Sequence, residues 1–235
     1  ALNDPKSKFG LPEVTLGLLP GGGGIVRSVR LLGLQNSLPL LMEGKQFGVD
    51  KARSLGLIHE VADSTDELLE KAIAWIKANP KSQQPFDAKG YKIPGGSPST
   101  PAVAQMLAIA PAMLRDKTKG CYPAPEAIMS AAVDGAQVDV DTALTIESRY
   151  FTYLAIGQIS KNMIGTFWHG LNANKSGASR PQGIERWKAT KVGILGAGMM
   201  GAGIAYATVS TGIPVVLKDI SIEAAEKGKA YSQKL

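Results

Sequence analysis

A glycine-rich segment between two apolar runs is the feature that most constrains the fold of this chain. The sequence KVGILGAGMMGAGIAYATVSTGIPVVLKD, residues 191–219, opens with an apolar run that suits a buried parallel strand. A helical pattern over 199–211 follows the glycines, and a second strand pattern over 214–217 follows the helix. The glycines have the spacing G-x-G-x-x-G and are Gly196, Gly198 and Gly201. This order predicts a β-α-β unit with parallel strands.

The same segment has the parts of a dinucleotide-binding turn. Gly196 permits a tight turn, Gly198 lets the backbone approach a pyrophosphate, and Gly201 lets the helix pack closely on the strand. Met200 lies in the first helical turn, where free N–H groups favour phosphate. Asp219 follows the second strand and is expected to accept hydrogen bonds from ribose hydroxyls, so NAD is predicted over NADP. The alternative is a glycine-rich turn that binds nothing.

Composition excludes several other classes of protein. The 235 residues suit one large domain or two small ones, and 44% hydrophobic with 20% charged residues is ordinary for a globular protein. The single cysteine, Cys121, excludes an intrachain disulfide framework. The net charge of +6 allows anionic partners, although it also fits a solvated surface. No basic helix, zinc-type spacing or membrane-length apolar run is present, so neither nucleic acid, metal nor a transmembrane segment is predicted.

The first part of the chain predicts short elements broken by glycine and proline. A strand and turn are expected over Phe9–Leu19, and Pro20 with Gly21–Gly24 ends them. The glycines at the start of the next helix either bind an anion or permit close packing. Helices are expected at Ile25–Leu34, Ser37–Glu43, Asp50–Leu57, Asp63–Asn79 and Pro125–Gln137, from Thr100 with a kink or break at Pro111, and from a cap at Asp141 through Ala155. His59, at the start of a predicted strand, and His169 are interpreted as structural.

Two blocks near the start carry a family resemblance. FGLPEVTLGLLPGGGG, residues 9–24, resembles a signature block of the crotonase, or enoyl-CoA hydratase, superfamily, and residues 43–47 and 52–61 are similar to its next block. In hydratases of this family the glutamate of the F-G-x-P-E block is one of two catalytic glutamates, and that position is Glu13 here. Hydration of a 2-enoyl thioester needs a base that activates water and an acid that protonates the α-carbon. Without the resemblance, Glu13 would be interpreted as a surface or capping carboxylate.

Two further blocks extend the resemblance to most of the chain. CYPAP, residues 121–125, and ALTIESRYF, residues 143–151, are similar to the helical part of multifunctional β-oxidation proteins, and on that resemblance Cys121 is a buried small residue. The expected fold is α/β: the C-terminal part of a crotonase-like domain with a helical extension over 1–170, a linker over 171–190, and the first β-α-β of a Rossmann domain over 191–235. The order of the blocks resembles the α-subunits of fatty-acid β-oxidation multienzymes.

The resemblance implies a bifunctional enzyme. It implies hydration of trans-2-enoyl-CoA and then NAD-dependent oxidation of L-3-hydroxyacyl-CoA to 3-ketoacyl-CoA, with an acyl-CoA substrate and a thiolase β-subunit as partner. The hydride-transfer His–Glu pair of that family lies downstream of the glycines, so neither His59 nor His169 corresponds to it. The first half of the hydratase and most of the dehydrogenase are expected outside this sequence, and the isolated chain is expected to be inactive.

Three alternatives remain open at this point. The crotonase-like part could isomerise an enoyl-CoA or carry out other crotonase chemistry, such as hydrolysis, or the protein could be a non-catalytic scaffold that binds acyl-CoA or a thiolase. The resemblance implies a cytoplasmic protein in a bacterium, or a mitochondrial or peroxisomal one in a eukaryote. Acyl chain length does not follow from the sequence.

Overall fold

The chain divides into two compact units, which are described separately. The computed structural model describes residues 1–185 and 187–234. The first unit is Ala1–Ser179 and the second is Arg180–Leu235. Within the described residues, no helix is both long enough and apolar enough to cross a membrane.

The first unit is built mainly from helices. Short 3-10 segments occur at Pro12–Leu16 and Pro85–Asp87, and a π-helical segment at Ile164–Gly170. The α-helices are α1 (Gly24–Glu43), α2 (Val49–Ser54), α3 (Thr65–Ala78), α4 (Pro101–Thr118), α5 (Pro123–Gly135), α6 (Val140–Ile156), α7 (Gln158–Met163) and α8 (Leu171–Ser176).

Local chemistry sets the ends of these helices. Ser64 caps α3 by accepting a hydrogen bond from the Glu67 N–H at 3.1 Å. The expected cap of α6 at Asp141 is wrong. Asp139 is the cap, because its carboxylate accepts from the Thr142 N–H at 2.9 Å, and Asp141 lies in the first turn. The helix α4 continues through Pro111, so of the predicted kink or break the break does not occur.

The helix α1 joins two segments that were predicted separately. It is kinked at Gly33, whose φ of 77° and ψ of 164° are not helical. A Cβ atom at Gly33 would lie 2.1 Å from the Pro94 carbonyl oxygen, so only glycine fits there. The kink therefore lies where the segment that contains Pro94 contacts α1.

The predicted strand over Phe9–Leu19 is wrong. Only Phe9 pairs in an extended manner, in an isolated antiparallel bridge to Phe47. The chain then enters a 3-10 turn because Pro12 has no N–H for a ladder, and Gly17 (φ 73°) ends that turn in a left-handed conformation. His59 also lies outside any strand, and the bridge in this region joins Leu2 to Ala62.

The core of the first unit lies between α1, α5 and α6. Its side chains include Leu19, Ile25, Leu34, Leu41 and Ile128, each fully buried. Cys121 is exposed, which corrects the expectation that it is a buried small residue. It follows Gly120 in the turn between α4 and α5, outside the packed faces of both helices.

The second unit contains the predicted parallel β-α-β. Its elements are β1 (Val192–Leu195), α9 (Met199–Ser210), β2 (Val215–Lys218) and α10 (Ile222–Lys234). The strands pair in parallel register, with Val192 opposite Val215 and Leu195 opposite Lys218. The mostly helical first unit followed by this small parallel unit confirms the predicted α/β fold class.

Candidate functional site

Glu13 lies in a tight turn of the first unit. It is the second residue of the 3-10 segment Pro12–Leu16, and its carbonyl oxygen accepts a hydrogen bond from the Leu18 N–H at 3.1 Å. The next residue, Val14, points into the core and is 9% exposed. Val14 therefore anchors the turn in the core directly beside Glu13.

The Glu13 carboxyl group has an unsatisfied oxygen. The side chain is half-buried, and its Oε2 atom is buried without a hydrogen-bond partner among the described residues. A buried carboxylate oxygen without a partner is costly, on the order of 1–3 kcal/mol or more. The lone pairs of this oxygen are therefore left for a partner other than the described residues, such as a water molecule.

Neighbouring helices fix the backbone of this turn. A Cβ atom at Gly17 would lie 2.8 Å from the Met163 Sδ atom and 3.1 Å from the Ser160 Cα atom, both in α7. A Cβ atom at Gly44, just after α1, would lie 2.8 Å from Val14 Cγ1. The glycines allow the Glu13 turn to pack against two helices at close range.

The glycine-rich loop Gly21–Gly24 holds a carboxylate of the protein itself. Glu147 of α6 is 1% exposed, and its Oε1 atom accepts a hydrogen bond from the Gly23 N–H at 2.5 Å. Its Oε2 atom accepts from the N–H groups of Ile25 and Val26 at 2.9 and 3.0 Å. Both open interpretations of this loop therefore hold in part, because the bound anion is an internal side chain that packs the loop on α6.

Sequence reasoning did not single out Glu147 as a site residue. It placed Glu147 only in the helix expected through Ala155, in which Leu144, Glu147, Phe151 and Leu154 lie three or four residues apart. A carboxylate in an otherwise apolar helical series is the signal that could have identified it, because a buried charge needs hydrogen-bond donors. Beside the loop lies a cavity of about 290 Å³, lined by Gly21, Gly22, Ser148, Phe151 and Thr152.

The second unit brings its predicted site residues together in one turn. Gly196 has φ 95°, and its N–H donates to the Lys218 carbonyl oxygen at 2.7 Å, so it closes the turn after β1. A Cβ atom at Gly201 would lie 1.7 Å from the Gly196 carbonyl oxygen. Gly198 begins α9 without a side-chain cap, and a Cβ atom there would meet no atom within 4 Å.

The first turn of α9 is open. Met200 is 75% exposed. The first N–H groups of a helix lack partners within the helix, and the helix dipole makes this end positive. Room beside Gly198, a helix N-terminus without a cap and close packing at Gly201 together fit a dinucleotide pyrophosphate.

Asp219 joins the end of β2 to the glycine-rich turn. Its Oδ2 atom accepts a hydrogen bond from the Ala197 N–H at 2.5 Å, and its Oδ1 atom accepts from the Ile220 N–H at 2.7 Å. These two N–H groups hold the pKa of the Asp219 carboxyl below its ordinary value, the Ala197 bond having the larger effect. The carboxylate is thus ionised beside the turn, with lone pairs left for further donors.

The remaining candidates do not form a further site. His59 lines an apolar cavity of about 500 Å³ beside α3, together with Trp75 and Ile76. His169 lies in the π-helical segment. Among residues 1–185 and 187–234, no group of His, Cys, Asp and Glu side chains suits a metal ion.

Two segments of the chain match known family models. Residues 1–87 match the model described as enoyl-CoA hydratase/isomerase. Residues 191–235 match the model described as 3-hydroxyacyl-CoA dehydrogenase, NAD binding domain. These matches confirm the predicted order of the two segments and the prediction of NAD as the cofactor.

Several solved structures are similar to this chain, and one example covers most of it. It is a crystal structure from Geobacillus kaustophilus named "Enoyl-CoA Hydrates Subunit I Other Form", with 20% sequence identity and a TM-score of 0.31. The similarity covers 72% of this chain and 51% of that chain. This chain therefore spans about half the length of that relative.

Proposed function

Because the chain joins an enoyl-CoA hydratase/isomerase segment to a 3-hydroxyacyl-CoA dehydrogenase NAD-binding segment, we propose that the protein is a bifunctional enzyme of fatty-acid β-oxidation. The first activity hydrates trans-2-enoyl-CoA to L-3-hydroxyacyl-CoA, and the second oxidises that product to 3-ketoacyl-CoA. The order of the two segments in one chain carries the proposal, since the product of the first reaction is the substrate of the second.

In the hydration step, Glu13 is proposed as one of two acid/base carboxyl groups. The reaction needs one group to remove a proton from water and one to protonate the α-carbon. The unpartnered and buried Oε2 atom of Glu13 supports this role, because it has lone pairs free for a water molecule. The fixed turn supports it as well, because an acid/base group must be held within hydrogen-bonding reach of its proton.

In the oxidation step, the second unit is proposed to hold NAD. Gly196, Gly198, Met200 and Gly201 would surround the pyrophosphate, and Asp219 would accept hydrogen bonds from the ribose. When bound, NAD supplies the hydride acceptor of the reaction. The negative charge of Asp219 disfavours the 2′-phosphate of NADP, since like charges in contact repel.

A coupled assay tests the proposed pair of reactions. The full-length protein is given crotonyl-CoA and NAD, and hydroxyacyl-CoA and NADH are followed separately. Both products are expected, with NADH appearing after a lag because it depends on hydration. The proposal is contradicted if enoyl-CoA substrates of short, medium and long chains form no NADH and supplied L-3-hydroxybutyryl-CoA forms none either.

The isomerase alternative is favoured by one finding, the joint description of the matched model as hydratase/isomerase. An isomerase moves the double bond of a 3-enoyl-CoA and adds no water. Supplying 3-enoyl-CoA and 2-enoyl-CoA in water labelled with oxygen-18 separates the two reactions. Label in the 3-hydroxyl group indicates hydration, and bond migration without label indicates isomerisation.

Acyl-CoA as the substrate and a thiolase β-subunit as a partner belong to the same proposal. A thiolase consumes 3-ketoacyl-CoA, which is the product of the proposed second step. Co-expression of the full-length protein with a thiolase from the same genome, followed by size-exclusion chromatography, tests the complex. A non-catalytic scaffold would bind the thiolase and show no difference between wild type and Glu13→Gln in hydration. The compartment, cytoplasmic in a bacterium and mitochondrial or peroxisomal in a eukaryote, is tested by fractionation of the source cells.

A further inference from the structure

Glu147 is a buried carboxylate that the proposed reactions do not use. It is 1% exposed, and no ion pair with it occurs among the described residues. Its hydrogen-bond donors are all backbone N–H groups at the start of α1, more than 120 residues earlier in the chain. A carboxylate in such a place is costly to bury unless its donors are fixed, so α6 and the loop Gly21–Gly24 restrain each other.

The restrained loop continues directly into the Glu13 turn. Leu19 and Pro20, which connect the two, are fully buried. A Cβ atom at Gly24 would lie 2.6 Å from the Pro20 Cβ atom, so the loop folds back on this connection. The connection begins at Leu18, whose N–H donates to the Glu13 carbonyl oxygen. Because this short connection is buried and hydrogen-bonded, we expect a shift of the loop to be transmitted to the Glu13 turn.

We propose that Glu147 is a positioning residue for hydration, which holds the loop Gly21–Gly24 and, through it, the Glu13 turn. The inference rests on the proposed hydratase function. Glu147 contributes no proton transfer and does not touch the substrate. Its role is to supply acceptor oxygens to the N–H groups of this turn, with Oε1 accepting from Gly23 and Oε2 accepting from Ile25 and Val26.

The substitution Glu147→Gln removes one of the two acceptor oxygens that hold the loop, with little change in the shape of the side chain. Glutamine keeps one acceptor oxygen and replaces the other with an NH₂ group, which would face a backbone N–H donor. Asp141→Asn is the matched control, because Asp141 is an exposed carboxylate on the same helix. Glu147→Asp keeps both acceptor oxygens on a shorter side chain and tests rescue.

The experiment uses the full-length protein and three measurements. We expect Glu147→Gln to lower the kcat for hydration of crotonyl-CoA by about 10- to 100-fold with little change in KM, because misplacement by about 1 Å can cost that much. Oxidation of supplied L-3-hydroxybutyryl-CoA should be unchanged. Amide hydrogen exchange at Gly23, Ile25 and Val26 should become faster. Glu147→Asp should recover part of the kcat, and Asp141→Asn should match wild type.

The outcomes separate this inference from the proposed function. Wild-type kcat in Glu147→Gln, or a change in KM alone, overturns the positioning role. Loss of both activities in both Glu147 variants also overturns it, because Glu147 would then be needed for folding. A wild-type protein that never hydrates crotonyl-CoA rejects the proposed function instead, and amide exchange then shows independently whether Glu147 restrains the loop. Unchanged exchange in Glu147→Gln overturns that restraint.

Discussion

Gly201 is the glycine of the second unit at which an added Cβ atom would come closest to another atom. Alanine normally stabilises a helix by about 1 kcal/mol relative to glycine. At this position the added Cβ atom would lie 1.7 Å from the Gly196 carbonyl oxygen, so the helix or the turn must move. We expect Gly201→Ala to raise the Kd for NAD by about tenfold or more, equivalent to about 1.4 kcal/mol. Isothermal titration of the full-length protein measures this.

Gly203 provides the matched control for that prediction. It lies in the same helix, and a Cβ atom there would meet no atom within 4 Å. Gly203→Ala should therefore keep the wild-type Kd for NAD, and its only effect should be the gain in helix stability of alanine over glycine. Equal Kd values for Gly201→Ala and wild type would mean that close packing at Gly201 is irrelevant to NAD binding.

Asp219 should make the stability of the second unit depend on pH. Hydrogen bonds from Ala197 and Ile220 lower the pKa of its carboxyl below the ordinary 3.8. A lowered pKa in the folded state stabilises the protein above the ordinary value, and the contribution is lost as the pH falls through the folded value. Asp219→Asn should thus destabilise the unit at pH 7 and approach wild type in stability at lower pH.

Urea unfolding from pH 7 down to about pH 3, a range set by the reference pKa of aspartate, measures the free-energy difference between Asp219→Asn and wild type. Glu226→Gln, an exposed carboxylate change in α10, serves as the control and should show no such convergence. A difference that stays constant over the whole range would show that ionised Asp219 does not hold the turn.

At the scale of elements, α10 packs on the glycine-rich turn through Gly228. A Cβ atom at Gly228 would lie 2.5 Å from the Ala197 carbonyl oxygen and 3.1 Å from Leu217 Cδ2. Overpacking of this kind costs about 1–3 kcal/mol, against a helix-propensity gain of about 1 kcal/mol. We expect the cost to win, because the nearest atom belongs to the backbone, so Gly228→Ala should lower the stability of the unit by about 1 kcal/mol.

Thermal unfolding with and without NAD tests the role of α10. Gly228→Ala should lower the Tm and also reduce the stabilisation by NAD, because Ala197 is part of the turn. Lys227→Ala, at an exposed neighbouring position, should do neither. A higher Tm in Gly228→Ala would show that the helix has room to retreat from the turn.

The sequence predicts those elements whose signals are local. The β-α-β over 191–219 is predicted almost to the residue, because its apolar runs, glycines and helix lie in one continuous segment. The helix α3 is predicted to within two residues at each end, as Asp63–Asn79 against the observed Thr65–Ala78. Contacts between distant segments do not follow, because no local pattern encodes them.

Three differences show this limit. The kink at Gly33 depends on the approach of Pro94, and the burial of Glu147 depends on a loop far away in the chain. The turn at Pro12–Leu16 replaces the expected strand, because proline and glycine chemistry outweighs β-branched composition. For the site, the sequence names Glu13 and the residues of the glycine-rich turn, while the carboxylate that restrains the loop is seen only in the fold.

At the scale of the whole molecule, the two candidate sites lie in different compact units. Glu13 belongs to the first unit and Gly201 to the second. If each unit carries one reaction, each reaction should be removable without the other. Glu13→Gln should lower hydration of crotonyl-CoA by about 10²- to 10⁴-fold, the usual contribution of general acid–base catalysis, and leave oxidation of supplied L-3-hydroxybutyryl-CoA unchanged.

Gly201→Ala should give the opposite result, with normal hydration and weakened NAD-dependent oxidation. The two single-step assays on the full-length protein are the measurement, and Glu126→Gln, an exposed change at the start of α5, is the control for charge removal in the first unit. Loss of both reactions in either variant would contradict separate sites. The coupled rate from crotonyl-CoA to NADH should fall in both variants. Glu13→Gln deprives the second reaction of its substrate, and Gly201→Ala slows the second reaction itself, which forms the NADH.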